Sequence, residues 1–116
     1  MAYNEELTGR VRKALAGRPG LTEKRMFGGV CYLLGGNMCC GIAKDDLIVR
    51  VGADRHAEAL ARPGARPMDM TGRPMSGWVL VGPAGFRTAK DLGRWIDQGA
   101  TFALSLPAKN AGLYND

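Results

Sequence analysis

At 116 residues the chain suits one domain with a real hydrophobic core, and its apolar and charged fractions of 46% and 23% exclude wholesale disorder. No apolar run approaches the roughly 20 residues a membrane-spanning helix needs, and Met1-Ala-Tyr-Asn-Glu-Glu lacks the basic start and apolar centre of a signal peptide. The formal charge of +5, from 16 basic and 11 acidic residues, is spread along the chain without a basic run.

Asn4 is suited to cap a helix, with Glu5 and Glu6 in its first turn. Leu7, Val11, Ala14 and Leu15 recur at helical spacing, and Gly17 with Pro19-Gly20 ends the element, so a helix is predicted over 4–16. Residues 24–34 read as a strand interrupted by Gly28-Gly29, a place for a bulge or a close approach. Gly35-Gly36-Asn37 supplies a tight hairpin, 38–44 the return strand, and Asp45-Asp46 a second turn. Leu47, Val49 and Val51 then alternate with Ile48 and Arg50 in the next strand.

A short helix is predicted over 53–61 with Ala57, Leu60 and Ala61 inward, stopped by Pro63-Gly64. Residues 65–76 read as irregular and rich in Pro, Met and Arg, and 77–83 as a strand bounded by breakers. Thr88 can cap a last helix with Leu92, Trp95, Ile96, Gly99, Phe102, Ala103 and Leu106 on its apolar stripe, ended by Pro107. The expected architecture is α+β, an antiparallel sheet of about five strands in the order α-β-β-β-α-β-β-α with helices packed on it. One domain over 1–107 and a flexible tail over 108–116 complete the expectation.

The chemistry-bearing residues do not converge on a catalytic centre. Cys31, Cys39 and Cys40 flank the glycine hairpin. With Gly35 and Gly36 as the loop, Cys31 faces Cys40; with a three-residue loop, Cys31 faces Gly41 and Cys39 faces Leu33. Strand alternation sends Cys39 and Cys40 to opposite faces, so buried small hydrophobes are the expected reading over redox or metal chemistry. The sole histidine, His56, reads as a surface residue without a paired nucleophile, and Asp45-Asp46 as turn chemistry. The glycines match no phosphate loop. Phe27, Tyr32 and Trp78 sit in apolar runs, which favours core or interface roles over base stacking. No catalytic residue, metal site or cofactor is expected.

Several blocks resemble the TfoX N-terminal-domain family: Arg25-Met-Phe-Gly-Gly-Val-Cys31, Gly36-Asn-Met-Cys-Cys-Gly41, Leu47-Ile-Val-Arg-Val51, Pro63-Gly-Ala-Arg-Pro-Met-Asp-Met-Thr-Gly-Arg-Pro-Met-Ser-Gly-Trp-Val79 and Leu104-Ser-Leu-Pro107. The resemblance runs from Leu7 to Lys109. It implies a small α+β domain similar to the type III secretion chaperone-like fold, in a stand-alone relative of a regulator of competence-specific genes. It carries over no catalytic residues.

The expected function is that of a non-catalytic, cytoplasmic regulatory or protein-interaction module with an unidentified protein partner. Its expected working surface is the Arg- and Met-rich segment with Arg66, Asp69, Arg73 and Met75, joined by Arg25 and Arg50 from the sheet. Arg50 alternates away from its apolar neighbours and can pair with Asp69 or an acidic partner. The alternatives are direct nucleic-acid binding, supported by the +5 charge, and a thiol-dependent or small-molecule-binding enzyme using the cysteines. Homodimerisation through exposed sheet edges is compatible with each reading, and a membrane partner with none of them.

Overall fold

The computed structural model of the chain describes residues 4–26, 28–69 and 74–107. Its elements are α1 (Glu5–Leu15), β1 (Leu21–Met26), β2 (Gly29–Leu34), β3 (Asn37–Ala43), β4 (Asp46–Arg50), α2 (His56–Leu60), β5 (Ala65–Asp69), β6 (Pro74–Val81) and α3 (Ala89–Ser105), with single 3-10 turns at Ala53–Arg55 and Pro83–Gly85. The strands form one antiparallel sheet in the order β1-β2-β3-β4-β6-β5. The α+β expectation and the helices packed on an antiparallel sheet hold.

Two sequence expectations change. The single strand over 24–34 is a hairpin: Leu21 pairs with Leu34 and Met26 with Gly29, so the chain reverses at the glycines. Gly28 has a φ of 75°, which a residue with a Cβ tolerates poorly. The segment 65–76 is not irregular, since β5 and the start of β6 lie in it. Proline misleads there: Pro67 lacks an N–H, but β5 is an edge strand and leaves that side unpaired.

Asn4 caps α1 by accepting the Leu7 N–H at 3.0 Å, and Thr88 caps α3 by accepting that of Asp91 at 3.0 Å. Leu7, Val11 and Leu15 from α1, Leu92, Trp95, Ile96, Ala100 and Ala103 from α3, and Ala59 from α2 share one core with Val30, Tyr32, Leu34, Ile42, Leu47, Val49, Val79 and Val81. In α2 Ala59 is buried and Leu60 packs half-buried against the core as expected, whereas Ala57 and Ala61 are exposed, because the segment begins as a 3-10 turn and rotates the helical face. The helices thus bury one face of the sheet. Cys31, Ile48 and Met68 are also buried, yet stand outside that core.

Candidate interaction face and its concavities

Strand pairing sorts the sheet residues by face, because residues opposite each other in register point the same way. Val30, Ile42, Leu47, Val49 and Val79 point to the helices. Cys31 pairs with Gly41, Gly41 with Ile48, and Ile48 with Leu80, which defines a row on the opposite, open face. Lys24 pairs with Cys31, Arg50 with Trp78 and Arg66 with Leu80, placing all three basic side chains on the open face.

The sequence-predicted surface is only partly assembled. Arg50, Arg66 and Met75 lie on or over the open face. Arg25 pairs with Val30 and belongs to the helix side, beside Glu23. Strands β1 and β5 are opposite edges of the sheet, about 24 Å apart at ordinary strand spacing, so Arg25 and Arg66 do not form one patch. Arg73 and the Asp69 side chain lie outside the described residues. Arg66 is engaged, its guanidinium 2.5 Å from the Asp46 carboxylate.

Arg50 has an environment the sequence did not announce. Its guanidinium lies 5.1 Å from the centroid of Trp78 and 5.3 Å from that of Phe102, so it is bracketed by two rings. Trp78 is its partner across β4 and β6, whereas Phe102 reaches the strand end from α3. Phe102 gets there because Gly52 has no side chain; a Cβ at Gly52 would lie 2.5 Å from the ring. A one-residue alternation cannot signal such a contact, since its second ring comes from a helix fifty residues on.

Two concavities flank this bracket. A groove of about 770 Å³ runs between α3 and the 53–58 segment, lined among others by Phe102, Asp54, Glu58, Asp97 and Thr101. Its carboxylates are partly engaged, Glu58 with Arg55 and Asp97 with Arg18. On the open face a cavity of about 190 Å³ is lined by Cys31, Met38, Met68, Met75, Ile48 and Trp78 among others.

The cysteines correct the alternation argument. The loop is the two-residue Gly35-Gly36, since Leu34 pairs with Asn37, yet Cys31 faces Gly41 rather than Cys40. A bulge at Tyr32/Leu33 absorbs the extra residue. It also turns Cys39 and Cys40 the same way: their sulfurs are 3.8 Å apart and both side chains are fully buried. Their hydrogen bond and burial push the Cys40 thiol well up, and burial raises that of Cys31. Cys39, lowered by that same bond, is 0% exposed and also reaches the Tyr32 carbonyl. Buried position, the expected reading, is what the structure shows.

The remaining candidates are structural or solitary. His56 is half-buried rather than on the surface, with its Nε2 enclosed and unpartnered. Asp45 accepts the Asn4 side-chain N–H at 3.1 Å, tying the β3–β4 turn to α1. Tyr32 belongs to the core, Trp78 is half-buried on the open face, and Phe27 lies outside the described residues. Among the described residues no group of three or more His, Cys, Asp and Glu is placed to hold a metal ion. No described helix is long and apolar enough to cross a membrane.

No curated protein and no solved structure matches the chain. The model of the TfoX N-terminal domain matches residues 13–103, which take in strands β1 to β4, the Arg- and Met-rich segment and most of α3. By that match, the chain belongs to the TfoX N-terminal domain family.

Proposed function

We propose that the chain is a non-catalytic regulatory module that binds a protein partner through the face of its sheet turned away from the helices. The observation that carries this reading is the asymmetry of the sheet. One face lies under three helices, while the other presents half-buried Leu33, Met38, Trp78 and Leu80 around the bracketed Arg50. Apolar and aromatic anchors around a half-buried arginine are the composition of an interface centre. Lys24 on β1 and Arg66 on β5 add positive charge at the two edges. The fitting partner is therefore a segment with apolar anchors flanked by carboxylates. Membership of a family linked to competence regulation supports a regulatory role. Three free, buried thiols suit the reducing cytoplasm, the compartment we propose for it.

The test is capture of partners from cell extract by the wild-type chain and by a variant carrying Lys24→Glu and Arg50→Glu. The reading expects the captured protein to be lost from the double variant and retained by Arg25→Glu, whose charge change falls on the helix side. Retention by the double variant, with its fold intact by circular dichroism, would refute the assignment.

A further inference from the structure

The cavity on the open face takes residues from strands that are not neighbours in the sheet. Cys31 belongs to β2 and Met68 to β5, strands held about 19 Å apart at ordinary spacing. Both nevertheless line one cavity of about 190 Å³, so Met68 and Met75 come over the open face toward β2. The register slips between Pro67 and Asp69, and Gly77 takes a φ of 88°, irregularities of the kind that turn a strand out of a flat pleat. Gly41 lies between two of the lining residues, Cys31 and Met38. A Cβ there would lie 2.9 Å from the Met38 methyl and 3.6 Å from the Cys31 Cα, so its absence lets Met38 lie beside Cys31.

We propose that this cavity is a binding site for a small, uncharged aromatic molecule of one ring or two fused rings. Its volume is of the size that takes up a benzene-sized guest when lined by apolar side chains, and its half-exposed rim gives such a guest a way in. Its lining residues carry no charge, and the only side-chain hydrogen donors among them are the Cys31 thiol and the Trp78 indole N–H. A bound water wants several polar partners, so an apolar guest is better suited than solvent. Three thioethers, from Met38, Met68 and Met75, select among apolar guests, because sulfur favours the edge of an aromatic ring over an alkane. Trp78 adds a ring face for offset stacking. The four sulfurs are also soft-metal donors, but the space is far larger than a bare ion. The cavity shares Met38 and Trp78 with the proposed partner face, but its occupancy by a small molecule is read without any partner, so the failure of one reading is distinguishable from that of the other.

The probe is toluene, with methylcyclohexane as a saturated molecule of similar size, added to the full chain carrying 13C-methyl methionine. Toluene is expected to displace the Met38, Met68 and Met75 methyl signals and to raise the thermal midpoint with concentration. Methylcyclohexane is expected to bind severalfold more weakly. Ala43→Phe, which fills the half-exposed edge of the cavity, should weaken toluene binding by more than about tenfold without lowering the ligand-free midpoint. Met38→Leu conserves volume and should change it only a few-fold. Undisturbed methionine methyls at saturating toluene overturn the site. Equal affinity for methylcyclohexane overturns the aromatic class. Stoichiometric Ag(I) binding that Met38→Leu abolishes would make it a soft-cation site instead.

Discussion

Arg50 shows how one side chain can belong to two elements. Its guanidinium touches a ring on the neighbouring strand and another on α3, at 5.1 and 5.3 Å. Each such contact at a partly exposed site contributes about 0.5–1 kcal/mol, so Arg50→Ala should cost about 1–2 kcal/mol in urea denaturation. Arg50→Lys should recover little of it, because a hydrated ammonium does not stack as a planar guanidinium does. Full recovery by lysine would reduce the contact to charge alone. The cysteines make a second residue-scale case, in pH. Cys31 and Cys40 hold their protons more tightly folded than unfolded, since both thiols are raised. Their contribution is complete below the unfolded thiol pKa of about 8.5 and falls as pH climbs past it. The urea midpoint should therefore drop between neutral and alkaline pH, less steeply in Cys31→Ala, with Cys39, whose thiol is lowered by its bond to Cys40, offsetting part of the fall. All three thiols should resist a thiol reagent at neutral pH until the protein is unfolded. Rapid native labelling would revive the thiol-enzyme alternative.

Helix α3 shows local propensity and packing pulling in opposite directions. Gly93 and Gly99 are both interior positions of one helix, and propensity alone would favour alanine at each. At Gly93 an added Cβ meets nothing within 4 Å, so Gly93→Ala should stabilise by about 0.5–1 kcal/mol. At Gly99 the Cβ would collide with the carbonyl of Cys39, a backbone atom of the bulged strand. Gly99→Ala should therefore destabilise by about 1–3 kcal/mol, read from paired denaturation curves. Equal gains at both would show that α3 does not press on β3. The same contrast explains what was legible in the elements. The caps at Asn4 and Thr88, the apolar stripes of α1 and α3 and the glycine hairpin after β2 are local, and they read correctly. The hairpin hidden in 24–34, the proline-bearing edge strand and the Cys39 bulge depend on what lies alongside, which period and propensity do not record.

At the scale of the whole molecule, strand order was the least legible feature. Nothing in the chain order says that β6 sits beside β4 and sends β5 to the edge, so the distance between Arg25 and Arg66 was invisible in the sequence. The Met68–Met75 segment stood out for its methionines, but only the folded chain brings Met68 and Met75 to one cavity with Cys31. The same topology bears on net charge. Of the basic side chains, Arg12, Arg18, Arg55 and Arg66 face carboxylates. Arg10 donates to the Phe86 carbonyl, Arg62 to Gln98 while lying 3.5 Å over the Trp95 centroid, and Arg50 is held by rings. These cations are distributed over both faces and both edges rather than along one stripe. Binding nucleic acid by counterion release requires several cations aligned on consecutive phosphates, and sheet recognition of single strands requires two or three exposed rings. Trp78 is one ring, and it already carries Arg50. A gel shift with single- and double-stranded DNA and RNA should therefore show no complex at about 50 mM salt, where an electrostatic binder is at its strongest. A complex there that weakens steeply with added salt would replace the protein partner by nucleic acid, and would require the engaged arginines to exchange their present partners for phosphates.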